Sequence, residues 1–334
     1  VTLPPNDPPL SVLLSAHNAE AFLDEAIESV LAQDFPAFEF LILDDGSQDA
    51  TRAIAEGYAA RDARIRVIAG DHRGLVDGLN RLLEEARAPI VARFDADDIC
   101  HPQRFSRQMQ FLEAHPDHGL VGCETDQIDS TGAPRPDVEY GWVHDHEEIV
   151  RCLPLWSPLV HPAVMMRRDV VREAGGYRRA YRRAEDYDLW LRLSTRTKLA
   201  NLPERLLWYR VHPGQVGEKH LVEQVRAAAT ALLAHRQRLS GKPDPTEGLA
   251  SLPPTAALDA LFGPGSAAFV NQRVFEEVLY VPGELAGAGW DAALAHAAAS
   301  RDRRPLWRVA TRLLRAGHPA KAGRFAAALL MPRA

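Results

Sequence analysis

Apolar positions in this chain repeat with two different periods, and the two alternate. Leu10–Ser15 is a short apolar run after prolines and reads as a buried strand. Directly after it, Ala19, Phe22, Leu23, Ala26, Ile27, Val30 and Leu31 fall on one helical face, with Asn18 placed to act as N-cap. Phe38–Leu43 is a second strand, and it ends in Asp44-Asp45-Gly46-Ser47. Asp49–Ala60 reads as a helix with Asp49 or Ser47 near its cap, Ile65–Ile68 as a strand, Leu75–Ala86 as a helix and Pro89–Phe94 as a strand. Strands that alternate with helices in this way predict an α/β fold, a mostly parallel, Rossmann-like sheet flanked by helices.

Beyond Asp98 the pattern is less regular. Pro102–His115 reads as a helix, Leu120–Cys123 as a strand and Asp129–Tyr140 as a loop or hairpin. Ala163–Met166 is a short strand, Asp186–Ser194 a helix, Leu199–Leu202 and Leu206–Arg210 two strands, and Lys219–Leu239 a long helix. Gly241–Pro254, rich in Pro, Gly and Ser, reads as a linker, and only helical patterns follow it. The expected organisation is a catalytic domain over residues 1–240, divided near 125 into halves 10–125 and 126–240, and an α-helical C-terminal extension over 241–334.

In a largely parallel sheet, ligands bind outside the carboxyl ends of the strands. Three polar segments stand there: Ser15–Asn18, Asp44–Ser47 and Asp95–Asp98. Asp95, Asp97 and Asp98 follow an apolar strand, and clustered carboxylates suit a hard divalent cation; a solvated turn before Pro102 would also account for them. At Asp44-Asp45-Gly46-Ser47, Gly46 permits a turn with positive φ, leaving an Asp to accept from a base or ribose; a plain strand–turn–helix connection is the alternative. Glu185-Asp186 opens an amphipathic helix, where a carboxylate either serves the helix dipole or stands as a general base. His161 and His212 flank short strands.

Composition narrows the classes. At 46% hydrophobic and 25% charged residues, the 334-residue chain reads as globular. A formal charge of −6 gives no case for nucleic-acid binding. Cys100, Cys123 and Cys152 lack metal-ligand spacing and read as reduced thiols of a cytosolic protein. Val1–Pro9 does not resemble a signal peptide, and no apolar run approaches the ~20 residues of a membrane span. Charge is uneven, however. Nine Lys/Arg against one Asp follow Ser300, a local net of +8, so the first 300 residues carry −14.

Taken in order, the motifs resemble the family 2 glycosyltransferases of the GT-A fold. The resemblance runs from Leu10 to about His212. It rests on Ser11-Val12-Leu13-Leu14 through Asn18, Ile27-Glu28-Ser29-Val30-Leu31-Ala32-Gln33, and Leu43-Asp44-Asp45-Gly46-Ser47-Gln48-Asp49-Ala50-Thr51. It continues through Gly74-Leu75 with Asn80, Phe94-Asp95-Ala96-Asp97-Asp98, Glu185-Asp186 and Tyr209-Arg210-Val211-His212. It implies an inverting transfer from a nucleotide-sugar donor, a UDP-sugar first, to an acceptor hydroxyl, in the synthesis of bacterial-type cell-surface polysaccharide or glycoconjugate. It implies that Ser15, His17, Asn18, Asp45 and Gly74 hold the nucleotide, and that Asp95 meets the ribose or sugar. Asp97 and His212 would bind Mn²⁺ or Mg²⁺. Glu185 and His161 would line the donor site, and Asp186 would be the catalytic base. Variable loops, here Asp129–Trp156 and Tyr177–Ala184, would form the acceptor pocket. Two positions depart from the family pattern: an aromatic is usual where His17 stands, and Asn is frequent where His72 stands.

A sugar-nucleotide nucleotidyltransferase would need a Gly-rich basic loop where this chain has Ser15-Ala16-His17-Asn18-Ala19-Glu20, and no Gly-x-Gly-x-x-Gly supports a dinucleotide oxidoreductase. A non-catalytic sugar-nucleotide binder would have no use for Asp186. The basic tail has two readings. One is a helical hairpin whose arginines face water or the acidic body. The other is a peripheral contact of a cytoplasmic enzyme with the inner face of an anionic membrane, where a lipid-linked acceptor would be found.

Overall fold

The computed structural model describes residues 7–136, 141–213 and 220–330. The end of the expected loop at Tyr140, the expected helix start at Lys219, and residues 1–6 and 331–334 lie outside the described residues. The chain divides into two compact units, Val1–Arg178 with Leu189–Pro213, and Arg179–Asp188 with Gly214–Ala334.

In the first unit, β1 (Leu10–Ala16) leads through α1 (Leu23–Leu31) to β2 (Phe38–Asp44), and α2 (Thr51–Ala59) leads to β3 (Ile65–Ala69). Next come α3 (Leu75–Glu85), β4 (Ile90–Phe94), the two-residue β5 (Ile99–Cys100), α4 (Arg104–Ala114) and β6 (His118–Ile128). Then follow α5 (His146–Cys152), β7 (Met165–Arg167), α6 (Arg168–Glu173), α7 (Glu185–Leu193), across whose length the division into units falls, and β8 (Lys198–Arg210). The strands form one eight-stranded mixed sheet, in the order β3-β2-β1-β4-β7-β6-β8-β5. β3, β2, β1 and β4 run parallel, whereas β7 is antiparallel to both β4 and β6.

The apolar patterning explains the layers. Leu10, Val12, Leu14, Phe38, Phe40 and Ile42 share one core with Leu23, Ala26, Ile27 and Val30 of α1. These helix positions recur at i, i+3, i+4 and i+7, as one buried face requires. Leu13, Leu41 and Leu43, on the alternate side of the pleat, are buried as well, which makes the strands continuous apolar runs.

Local details depart from the sequence reading in three places. Asn18 does not cap α1: the helix starts at Leu23, with Phe22 in the cap position, and Asn18 has φ 52 and accepts from the Gln48 N–H instead. The expected strands Leu199–Leu202 and Leu206–Arg210 are one strand. Pro203, which has no N–H to give a ladder, sits where the pairing of β8 with β6 shifts register between Cys123 and Thr125. The short strand expected at Ala163–Met166 begins two residues later, because His161–Ala163 forms a single 3₁₀ turn.

The second unit is helical: α8 (Leu221–Leu239), α9 (Leu258–Phe262), α10 (Ser266–Val278), α11 (Pro282–Ala286), α12 (Trp290–Ala299), α13 (Trp307–Arg315) and α14 (Pro319–Leu330). Gly241–Pro254 contains no helix or strand, yet it is anchored. Thr246 is buried and bonds Tyr181 Oη at 2.7 Å, and Asp244 pairs with Arg238 at 2.5 Å. Val274, Phe275, Trp290, Leu313, Phe325 and Leu329 belong to one apolar core built from α10 to α14. No helix among the described residues is long and apolar enough to cross a membrane.

This core sets a contrast within the tail. Phe325→Ala, at a fully buried position, is expected to cost about 3–5 kcal/mol. Leu314→Ala, at a position 54% exposed, is expected to change stability by less than about 0.5 kcal/mol. Denaturant unfolding of the full chain followed by tryptophan fluorescence separates them. Equal, small effects would mean that the tail helices do not pack as described.

Candidate active site

Register places four loops on one edge of the sheet. Ala16 at the end of β1 pairs with Asp44 at the end of β2, Asp44 pairs with Ala69, and Leu14 pairs with Phe94. Segments 15–18, 44–47, 70–74 and 95–98 therefore leave the sheet side by side. β1 sends its connection to β2 on one side and has β4 on its other, which is where such sheets open a crevice.

The first two loops are interlocked by short polar side chains. Asn18 N donates to Ser47 Oγ at 2.9 Å, and Gln48 N to Asn18 Oδ1 at 2.8 Å. Ala19 N donates to Thr51 Oγ1, Glu20 N to Asp49 Oδ2, and Ala50 N to Glu20 Oε2. The run from Asp44 to Thr51 thus clasps the start of α1. Gly46 takes φ 70, and an added Cβ would come within 3.2 Å of the His72 side chain.

Neither Asp of this turn is idle. Asp44 Oδ1 accepts from Ser47 N at 3.2 Å. Asp45 is buried, and its two oxygens accept from the backbone N–H of Arg73 (2.9 Å) and Gly74 (2.7 Å). Asp45 therefore fixes the loop that begins α3, and each oxygen retains one lone pair for a further donor. The backbone N–H groups that precede α3 bind Asp45 because they have no helical partner of their own. Ser15 is half-buried, with Gly78 of α3 so close that an added Cβ would stand 2.6 Å from its hydroxyl oxygen.

His17 and His72, the two departures from the family pattern, touch. Their ring centroids are 4.3 Å apart, and the Nδ1 of each faces the Asp45 carbonyl, at 2.9 and 3.3 Å. A carbonyl only accepts, so Nδ1 carries the proton in both rings. His17 Nε2 is then an acceptor, and Asn18 Nδ2 donates to it at 3.1 Å.

At the end of β4, Asp95, Asp97 and Asp98 bring ligand oxygens within 4.8 Å of one another. Asp95 pairs with Arg93, which is buried in the strand two residues earlier. Asp97 Oδ2 and His212 Nε2 are 3.0 Å apart. Asp98 is 1% exposed; its Oδ1 accepts from Arg210 N at 2.8 Å, and its buried Oδ2 accepts no hydrogen bond among the described residues. Burial, and then the charges of Asp97 and Asp95, push the Asp98 carboxyl well above the usual range. Hard oxygens held close, one of them buried and unsatisfied, fit Mn²⁺ or Mg²⁺. β5 makes the meeting possible: Ile99 and Cys100 pair with Trp208 and Leu207 and bring residues 97–98 alongside 210–212.

His161 is buried, not open at the cluster. Its Nε2 bonds Tyr177 Oη at 2.9 Å, its ring meets Trp190 edge-on, and burial followed by Arg93 pushes its pKa well below the ordinary histidine value. Asn80 holds Tyr177 by both backbone groups, at 2.8 and 2.9 Å. Glu185 is buried and Asp186 half-buried in the first turn of α7, where Asp186 Oδ1 accepts from Tyr187 N at 2.7 Å. Sequence reasoning missed Arg93, whose signal is a lone charge inside an apolar strand. It also passed over Tyr177, which carries no signal of its own.

The match to the glycosyl transferase family 2 model spans residues 11–175. The amylovoran biosynthesis glycosyltransferase AmsE of Erwinia amylovora is 33% identical over 213 residues, covering 63% of this chain and 79% of that protein. Among solved structures, TarS 1-349 of S. aureus in complex with UDP covers 96% of this chain and 90% of its own, with a TM-score of 0.56 at 17% identity. The mannosyltransferase PcManGT of Pyrobaculum calidifontis, in complex with GDP-Man and Mn²⁺, has a TM-score of 0.51, also at 17% identity, covering 99% of this chain and 89% of its own. The fold is the one these glycosyltransferases share. The chain belongs to glycosyl transferase family 2.

Proposed function

We propose that this glycosyltransferase moves a sugar from a nucleotide-sugar donor, a UDP-sugar first, to an acceptor hydroxyl in a single inverting displacement. The observation that carries the reading is the Asp95/Asp97/Asp98 cluster at the carboxyl edge of β4, next to a nucleotide loop braced by Asp45. The UDP in TarS and the GDP-Man and Mn²⁺ in PcManGT support a nucleotide-diphosphate donor and a divalent cation. AmsE supports a role in the synthesis of a cell-surface polysaccharide or glycoconjugate.

Ser15, His17, Asn18, Asp45 and Gly74 hold the nucleotide, and Asp95, steadied by Arg93, meets the ribose or sugar. His161, kept neutral by its surroundings, and Glu185 complete the donor site. Asp97 and His212, with Asp98, hold Mn²⁺ or Mg²⁺. When bound, the cation supplies positive charge against the negative charge that grows on the departing diphosphate. Asp186 takes the proton of the acceptor hydroxyl as its oxygen attacks the anomeric carbon.

Asp186→Asn keeps the shape but cannot take a proton. It is expected to lower turnover by roughly two to four orders of magnitude with donor binding retained. Transfer at the wild-type rate would leave Asp186 as a helix-terminus residue only. Asp97→Ala is expected to abolish cation-dependent binding of UDP, measured by titration calorimetry with and without Mn²⁺. Equal affinity in both proteins would remove Asp97 from the site. In the same assays, release of pyrophosphate would point to a nucleotidyltransferase, and binding without turnover to a sugar-nucleotide binder.

The acceptor reading extends to a lipid-linked saccharide reached from an anionic membrane surface. Trp307, Thr311 and Leu314 share an exposed stripe of α13, flanked by exposed Arg304, Arg308 and Arg315, whereas Val309, Ala310 and Leu313 turn into the helical core. A basic residue near such a surface contributes about 1 kcal/mol, so replacing the three arginines with Gln should weaken binding by about two orders of magnitude. Co-sedimentation with anionic and neutral vesicles reads this. Substitution is the suitable variant, since a chain ending at Ser300 would lose Leu313, Phe325 and Leu329 from the core. No binding of the full chain to anionic vesicles would end the membrane reading.

A further inference from the structure

Arg210 is nearly inaccessible, at 1% exposure, yet its side chain reaches three separate parts of the first unit. Its Nε donates to the Asp97 carbonyl at 2.7 Å, its Nη1 to the Asp129 carbonyl at 3.2 Å, and its Nη2 pairs with the half-exposed carboxylate of Glu25. Its backbone N–H donates to Asp98 Oδ1 at 2.8 Å. The guanidinium lies over the Phe22 ring, 4.8 Å from the centroid, and Phe22 in turn packs against the His212 ring at 4.9 Å. Arg210 itself is two residues before His212.

These contacts share a geometry. Asp97 and His212 come from segments 115 residues apart, and their side chains meet at 3.0 Å. A carboxylate and an imidazole hold a cation tightly only when their backbones are fixed before it arrives. Arg210 fixes one by the peptide carbonyl of Asp97 itself, and the other through Phe22 and the chain that leads to His212. Phe22 and Glu25 lie at the start of α1, directly after the loop of residues 17–20 that is clasped to residues 47–51. The same side chain thus joins the nucleotide loop to the acidic turn. Lysine, a single point charge without a planar fork, could not serve three directions at once. Burial of so polar a group is costly.

We propose that Arg210 is a positioning residue that pre-sets Asp97 and His212 for the cation and ties that setting to the nucleotide loop. This rests on the reading that Asp97 and His212 hold a divalent cation. It concerns Arg210 alone and fails separately from that reading.

The test is Mn²⁺ titration of the full chain, with and without UDP, followed by the paramagnetic resonance signal of free Mn²⁺. Arg210→Met keeps the backbone N–H that Asp98 needs; it takes a donor from the Asp97 and Asp129 carbonyls, and the carboxylate that loses its partner, Glu25, is half-exposed. It is expected to weaken Mn²⁺ binding by about 10–100-fold. Arg210→Lys is expected to fall between it and the wild type. In turnover, Arg210→Met should need more Mn²⁺ and approach the wild-type rate once Mn²⁺ saturates, a recovery not open to Asp97→Ala. A folded Arg210→Met with unchanged Mn²⁺ affinity would overturn the proposal while leaving the metal reading intact. Should Arg210→Met not fold, Arg210→Lys and Glu25→Gln decide: weaker Mn²⁺ binding in both supports the role, and unchanged binding in both overturns it. A wild-type chain that binds no Mn²⁺, with or without UDP, would sink this proposal and the metal reading together.

Discussion

Three carboxylates held within 4.8 Å of one another repel, and much of the surrounding structure answers to that repulsion. Asp98 is buried and driven toward its neutral form, chiefly by desolvation. Asp95 has a fixed counter-charge in Arg93, which the strand carries into the core two residues upstream. Asp97 has His212 beside it, and the Arg210 guanidinium on its peptide carbonyl. Each acid therefore meets a different environment, and three adjacent residues of one type need not share one task. An arginine cannot shed its proton in a protein, so Arg93 and Arg210 hold charge in the apo chain that no change of pH within the working range removes.

The acidic turn also depends on the far end of β8. Beyond Pro203, Arg205 and residues 207–210 of β8 pair with β6, and Leu207 and Trp208 pair with β5. The register shifts around Glu124 and Thr125 absorb the proline and let the strand continue to Arg210. Its end carries Arg210 to Asp98 and His212 to Asp97. The motif segment around Ser29 and Gln33 contributes on the other side. Ser29 Oγ accepts from Cys100 N, and Gln33 bonds the His101 carbonyl and the Phe105 N–H. Those residues are scaffold for the acidic turn and lie outside the chemistry.

Local periodicity made the parallel half legible. β1 to β4 and α1 to α3 are short, strongly patterned elements joined by short loops, so strand ends could be read directly, and with them the edge that carries Ser15, Asp45 and Asp95. Pairings between distant segments could not be read. Nothing in the spacing of Asp98 and Arg210 says that a two-residue strand, Ile99–Cys100, will lay them together. Asn18 illustrates a different loss. It is a good cap by composition, but the side chain found a better partner in Gln48 N, thirty positions away, and tertiary contact outweighed the local preference. Arg93 was visible as a charge in an apolar strand, although its partner two residues on was not obvious, because strand neighbours at i and i+2 share a face only while the strand persists.

His17 and His72 show how contact changes the meaning of a sequence departure. Read separately, they are two substitutions, each weakening the expectation for the nucleotide. In the folded chain their rings meet at 4.3 Å and both donate to one carbonyl, that of Asp45. They are one change in one place. An imidazole at position 17 still offers a flat face, as an aromatic would, but its Nδ1–H is committed to the backbone and its Nε2 to Asn18. The ring is thereby oriented by hydrogen bonds where a phenyl ring would depend on packing alone. At position 72 an amide would also donate to a carbonyl; the imidazole does so and adds a second flat surface beside the first. The two histidines together satisfy the Asp45 carbonyl and set two flat rings against each other beside it.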